Sequence, residues 1–186
     1  MLPGPAKPDS SNDVLLAGHL RRHGEAVAAF ITRARHLSSA EAARPRAPDK
    51  WTPIQEALHL ALTYRAFTAV FAGAPEFTLL VPQEKAAHYH RTVLPRILAG
   101  DWFPSGAGAP DRTRPADRDL TMPAALGQLQ AAADEFHTAC GAAAASDATR
   151  LWNHPYFGPI SILDLVGVLT EHAKHHARFL ASSGAG

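Results

Sequence analysis

The sequence predicts an all-α protein built on a four-helix bundle. Four long stretches carry apolar side chains at steps of three and four residues, which is the spacing that places them on one face of a helix. Connections rich in proline or glycine separate these stretches, and no segment shows the convincing alternation of a strand. Long helices joined by long connections are typical of a bundle.

The composition excludes several classes of protein. A chain of 186 residues is long enough for one domain with a sizeable core. The 18 basic and 17 acidic residues give a net charge of +1, which leaves no electrostatic footprint for nucleic acid. A single cysteine excludes an intrachain disulfide. Neither a signal peptide nor a bilayer-spanning apolar run is visible, so we expect a cytoplasmic protein with no nucleic-acid or membrane partner.

The first helix is predicted to begin at residues 10–12, where serine and asparagine side chains can cap it, and to end at about residues 36–37. Residues 1–9 are rich in proline and are expected to be a disordered tail, so the predicted bundle domain covers residues 10–182. The core stripe of this helix consists of Leu16, Leu20, His23, Val27, Phe30, Ala34 and Leu37.

The second helix has a strong start signal at Thr52, Pro53 and Gln55. The Thr52 hydroxyl can accept the amide of the third helical residue, Gln55 can reach back to the cap, and proline suits the first position. This helix is predicted to continue to about Phe71, where a Gly-Ala-Pro turn follows.

The segment between the second and third long helices, residues 76–120, has a less regular pattern. Residues 82–98 predict an additional short helix that is interrupted or bent at Pro95. Residues 100–119 predict a long loop rich in glycine, proline and charged side chains. Loops of this length are uncommon in a compact domain and are usually functional lids or disordered.

The third long helix is predicted from about Thr121, with a proline in its first turn, to about Ala145. Residues 152–159 form the connection to the last helix. Ser161 can cap that helix, which is predicted to end at about Ala181.

Histidines share the inner face of the last helix with aliphatic residues. His172 and His176 are one helical turn apart on that face, so both imidazoles can reach one ion. An HxxxH spacing is a weak signal by itself, and its apolar surroundings strengthen it. The stripe consists of Ile162, Leu165, Leu169, His172, His176 and Phe179.

His59 of the second helix is the third candidate ligand. If the second and last helices are antiparallel, His59 lies roughly 10 Å from its helix start and His176 roughly 8 Å from its helix end. The three imidazoles would then lie at one level of the bundle. Three neutral imidazoles suit zinc, nickel, cobalt, iron or copper, and three protein ligands leave a position for water or substrate.

Other histidines compete with these three. His175 lies off the stripe and is interpreted as a packing or surface residue, with replacement of His172 as the alternative. His23 is interpreted as a core histidine, with a ligand role as the alternative, and His154 as a residue that stabilises the turn before the last helix. The remaining histidines show no pairing pattern and are interpreted as solvent or packing residues: His19, His36, His88, His90 and His137.

Two segments resemble the DinB-like, or YfiT-like, superfamily of metalloenzymes. One is WTPIQEALHLA, residues 51–61, which is similar to the family's tryptophan, helix cap and early-helix histidine. The other is HPYFGPISILDLVGVLTEHAKHHARFL, residues 154–180, which is similar to the family's glycine turn and the HxxxH of its last helix. The order and separation of the two segments make the resemblance persuasive.

The resemblance implies an up-down-down-up bundle, often dimeric, with a three-histidine metal site. By position, the ligands are His59, His172 and His176, and we expect zinc or nickel, with iron, cobalt and manganese as alternatives. Characterised members include transferases that use low-molecular-weight thiols. The expected partners are therefore a small-molecule substrate such as a thiol, and a second copy of the chain in a homodimer. The segment 76–120 is expanded relative to compact members.

These expectations leave three functions open. In the first, a metal-dependent transferase, the nucleophile is a substrate thiol held by the ion, because Cys140 is interpreted as a buried small hydrophobe. In the second, the same ion activates water for hydrolysis. In the third, the protein is a non-catalytic helical module that binds metal or dimerises. No catalytic side chain is identified.

Overall fold

The structure is a computed structural model that describes residues 10–100, 102–116 and 120–180. Most of these residues are helical, as predicted. The elements in chain order are α1 (Ser10–Arg35), α2 (Ser39–Ala42), α3 (Pro53–Phe71), α4 (Gln83–Thr92), α5 (Leu94–Leu98), a 3₁₀ helix (Asp111–Thr113), α6 (Met122–Ser146), β1 (Trp152–His154), β2 (Gly158–Ile160) and α7 (Ile162–Leu180).

Some of the predictions lie outside the described residues. These are the tail at residues 1–9, the end of the last helix beyond residue 180, and residues 101 and 117–119 of the predicted loop. The long helices α1, α3 and α6 begin and end within two residues of the predicted positions. The last helix, α7, begins within two residues of its predicted start.

Local sequence signals fix the starts of α3 and α7. Thr52 caps α3 with the predicted box, because its hydroxyl accepts the Gln55 amide at 3.2 Å while the Gln55 side chain accepts the Thr52 amide at 2.9 Å. Ser161 caps α7 by accepting the Asp164 amide at 3.1 Å. The short helix α2 has a capping box of its own at Ser38.

Helices α1 and α7 run in the same direction. Near their starts, a Cβ built on Gly167 would come within 3.9 Å of the His19 ring. Near their ends, the Arg33 guanidinium donates to the carbonyl oxygen of Ala177 at 3.2 Å. The later residue of α1 thus contacts the later residue of α7, which is the pattern of two parallel helices.

Helices α3 and α6 are also parallel to each other. Ile54 and Leu126, near the two helix starts, line one groove, and Phe71 at the end of α3 packs on Phe136 with ring centroids 6.0 Å apart. The first residue of α3 and the last residue of α7 line one small cleft, so these two helices are antiparallel. The order of directions is up-down-down-up, which confirms the predicted topology.

The chain returns along the bundle between α3 and α6, because these helices are parallel. The predicted additional helix is present as α4 and α5, which are separated at Val93. Pro95, two residues later, lacks the N–H that a continuous helix would use. Leu98 of α5 packs closely on α7, because a Cβ built on Gly167 would come within 2.6 Å of the end of its side chain.

Residues 102–116, which we call the strap, connect α5 towards α6. The first part of the strap contacts α7 and its 3₁₀ helix contacts α3. Arg112 attaches the strap to the body of the protein, because its guanidinium lies 3.3 Å from the centre of the Phe77 ring and donates to the Pro75 carbonyl. The Tyr156 hydroxyl donates to the Gly108 carbonyl in the middle of the strap.

A β-hairpin that the sequence did not predict precedes α7. Strands β1 and β2 are antiparallel, with Trp152 opposite Ile160, and each strand has only three residues, too few for an alternating pattern to be visible. His154 accepts the Tyr156 amide at 3.2 Å, so it stabilises the turn as predicted.

Among the helices of the described residues, none combines the length and apolar character that a membrane crossing needs.

Candidate metal centre

Three histidines from two antiparallel helices meet at one end of the bundle. His59 lies in the second turn of α3, and His172 and His176 are one turn apart near the end of α7. His59 is 5% exposed and His176 is 7% exposed, while His172 is half-buried. The capping box at Thr52 fixes where α3 begins and therefore the depth of His59.

The three side chains point their Nε2 atoms at one another. The Nε2 atom of His172 lies 3.2 Å from that of His59 and 2.9 Å from that of His176. One ligand atom from each of the three residues lies within 4.8 Å of the other two. The structure thus brings together the three histidines that the sequence singled out.

The opposite ring nitrogens of two of these histidines are held by hydrogen bonds. The Nδ1–H of His59 donates to the backbone carbonyl of Thr113 in the strap at 2.8 Å. The Nδ1–H of His176 donates to the carboxylate of Glu56, on the first turn of α3. A carbonyl oxygen only accepts, so the His59 proton lies on Nδ1, and an ionised Glu56 places the His176 proton on Nδ1 as well. The Nε2 lone pairs of both rings are then directed into the cluster.

Burial keeps the three imidazoles in their neutral form. It lowers the pKa of His59, and it lowers the pKa of His172 and His176 well below the ordinary value, with a further contribution from the neighbouring imidazoles. Burial raises the pKa of the Glu56 carboxyl to about 7, against the opposing effect of His59 and Arg46. Neutral imidazole is the form that ligates metals.

The donor set fits a divalent metal ion. A tetrahedral ion with bonds of about 2.0–2.1 Å to imidazole nitrogen holds its ligands roughly 3.3 Å apart, close to the two distances from the His172 Nε2 atom to its neighbours. One proton on His172 can be shared with only one of its two neighbours at a time. A single cation attracts all three Nε2 lone pairs at once, so it gives every imidazole a partner, which one shared proton does not.

Aromatic rings and the strap surround the cluster. The Trp51 ring lies 4.6 Å from the His59 ring, and Phe103 of the strap stacks on His172 with centroids 5.5 Å apart and planes inclined by 22°. Since Thr113 contacts His59, the strap reaches the cluster from both sides. These groups reduce the access of water to the imidazoles.

The other candidates lie outside the cluster. The His175 ring packs between Phe103 and Phe179, with centroids 4.9 Å and 4.5 Å away, and contributes no nitrogen to the group of three. His23 is fully buried elsewhere in the bundle, where its Nδ1 lies 2.8 Å from Nε2 of His137. The assignments of His175 to packing and of His23 to the core therefore agree with the structure.

Two contributors to the site were not identified from the sequence. Glu56 lies three residues before His59, so an acidic side chain on the same helical face was a usable signal. An acid in the first turn of a helix is also favoured by the helix dipole, so the residue type alone does not indicate a contact with His176. Thr113 contributes a backbone carbonyl, which no side-chain pattern encodes.

Comparison with known proteins identifies one family. The family model described as the DinB superfamily matches residues 20–180, a stretch that contains all three histidines of the cluster. No curated protein and no solved structure matches the chain.

Proposed function

The chain belongs to the DinB superfamily, and from this premise we propose that it is a metal-dependent enzyme in which His59, His172 and His176 bind one divalent ion. Zinc and nickel are the favoured ions, because imidazole nitrogen suits both, and iron, cobalt and manganese are the alternatives. The reaction that we propose is transfer of a small thiol to an electrophilic substrate.

One observation supports this proposal more than any other. Three Nε2 atoms from α3 and α7 converge, while the Nδ1 protons of His59 and His176 are engaged by Thr113 and Glu56. Three protein ligands are the arrangement of catalytic sites, which keep one position for water or substrate, whereas structural sites use four.

The protein's own residues have two tasks in this proposal. The histidines hold and orient the ion, which when bound would lower the pKa of a substrate thiol or of water. Trp51 and Phe103 exclude water from the imidazoles. The nucleophile comes from the substrate, since Cys140 is fully buried and its burial raises the pKa of the thiol.

Metal content tests the first part of the proposal. The purified protein should contain about one equivalent of a transition metal by mass spectrometry, and zinc or nickel should raise the unfolding temperature of the stripped protein. Protein that neither contains nor responds to these metals would contradict the proposal. It would favour the non-catalytic helical module instead.

Turnover with and without thiol tests the reaction. The metal-loaded protein is mixed with chlorodinitrobenzene and a small thiol, so that a C–S bond forms, chloride leaves and the thiol proton passes to the buffer. The matched assay offers nitrophenyl acetate without thiol. Turnover in the first assay alone would support a transferase, and turnover in the second alone would point to the hydrolase.

The homodimer stays a prediction, which sedimentation of the metal-loaded protein can test.

A further inference from the structure

Glu56 is the only carboxylate that the described residues place against the histidine cluster. It is 5% exposed, and it lies on the same helix as His59 but contacts His176 on the opposite helix. A buried carboxylate loses most of its hydration, so its place in a core needs a compensating partner. The hydrogen bond to His176 supplies one partner, and a cation bound beyond that ring would supply a second.

The three histidines are supported by three different kinds of contact. His59 donates to a neutral carbonyl, and the His172 ring stacks on Phe103. Only His176 donates to a group that can carry a full negative charge. A carboxylate in this position fixes the tautomer of the imidazole and makes the ring a stronger base towards a metal ion.

We propose that Glu56 is the positioning residue of this centre, which keeps the proton of His176 on Nδ1 and supplies the negative charge that strengthens binding of a divalent ion. The inference rests on the proposed metal site. It extends that site by naming a residue that touches neither the ion nor a substrate and that acts through His176.

A positioning role has a consequence that a structural role does not have. A buried carboxylate stabilises the protein while the cation is bound and costs stability when the cation is removed. Replacement of Glu56 should therefore weaken metal binding without lowering the stability of the metal-free protein. If the carboxylate only held α3 against α7, its replacement would lower the unfolding temperature of the metal-free protein and leave metal affinity unchanged.

The experiment compares the full-length protein with Glu56→Gln, Glu56→Ala and the control Glu171→Gln. Glu171 precedes His172 in the chain and forms an ion pair with Lys174 at 2.6 Å, so its replacement removes the same charge without touching a cluster histidine. Affinity for Zn²⁺ is measured by competition with a chromogenic chelator. Unfolding temperatures are measured with and without Zn²⁺, and Co²⁺ absorption reports the geometry of the centre.

We expect Zn²⁺ affinity to fall about tenfold in Glu56→Gln, which keeps a hydrogen-bond acceptor, and by up to about 100-fold in Glu56→Ala. The unfolding temperature of metal-free Glu56→Gln should equal or exceed that of the wild type, and Glu171→Gln should bind Zn²⁺ like the wild type. Glu56 variants that bind Zn²⁺ as tightly as the wild type would overturn this inference and leave the proposed function standing. A wild-type protein that binds no metal would overturn the proposed function as well.

Discussion

Among the residues that the structure describes, histidines meet at two places in the bundle, and the two clusters are constructed differently. His59, His172 and His176 direct three Nε2 atoms at one point, near the start of α3 and the end of α7. In the second cluster, His23 on α1 faces His137 on α6, and only one pair of nitrogens is close, at 2.8 Å. One proton satisfies that pair, because one ring donates and the other accepts.

The surroundings of the two clusters differ as well. The His23 ring lies edge-on against Tyr64, with centroids 4.7 Å apart, and burial lowers the pKa of His23 to about 3. No carboxylate or carbonyl orients this ring, and within the described residues its Nε2 has no hydrogen-bond partner. Burial on a helical core stripe is therefore common to both clusters. The number of converging lone pairs and the placement of the Nδ1 protons separate a candidate ligand set from core packing.

The largest expected effect is the loss of metal from the first cluster. His59→Ala, His172→Ala and His176→Ala should each weaken metal binding by more than about 100-fold, because loss of a supporting hydrogen bond alone costs about 10–100-fold. Metal content of the purified variants, determined by mass spectrometry, checks this expectation. His23→Ala is the matched control and should retain its metal. A His172→Ala variant that kept a full equivalent of metal would show that the wrong pair of histidines on α7 had been chosen.

The second cluster should respond through stability instead. His23→Ala is expected to lower the free energy of unfolding by about 2–4 kcal/mol, because it leaves a cavity and removes the partner of His137. Urea denaturation of the metal-free protein measures the change. The exposed residue His88 provides the control, since His88→Ala should change the free energy of unfolding by less than about 0.5 kcal/mol. Equal stability of the two variants would contradict the core assignment of His23.

A pH dependence should distinguish His23 further. Its pKa is about 3 in the folded protein and about 6.5 in the unfolded chain, so below pH 6.5 the unfolded state binds the proton. Stability is therefore full above pH 6.5 and is lost as the pH falls towards 3. Between pH 7.5 and 5, the part due to His23 is about 2 kcal/mol. Metal-free His23→Phe should lose that much less than the wild type, as measured by urea denaturation at both values, and equal losses would argue against this shift.

The smallest effect is expected next to the first cluster. His175→Ala should change metal affinity by less than about twofold, because the His175 ring packs on Phe103 and Phe179 and no nitrogen of it joins the group of three. Competition with a chelator on this variant and on His176→Ala gives a direct comparison of neighbouring positions. Strong loss of metal affinity in the His175 variant would contradict the assignment of His175 to packing and of His176 to the ligand set.

Local rules predict the long helices and the pairing of His172 with His176. The Thr52 and Ser161 caps and the spacing of His172 and His176 depend on residues within one or two helical turns. The meeting of His59 with this pair links positions 113 residues apart, and its prediction depends on the antiparallel arrangement of the two helices and on the family resemblance. The pairing of His23 with His137 links positions 114 residues apart, and no local pattern contains it. The contact of Glu56 with His176 spans 120 residues and is hidden for the same reason.

The parallel arrangement of α3 and α6 has a consequence for how this protein can change. A chain that leaves the far end of α3 must travel back to the end where the histidines meet before α6 can begin, so the strap passes beside them. New side chains, insertions or deletions in residues 102–112 alter the neighbourhood of the imidazoles while the four long helices keep their core. Mutagenesis libraries confined to this crossing would diversify the groups around the imidazoles and leave the scaffold intact.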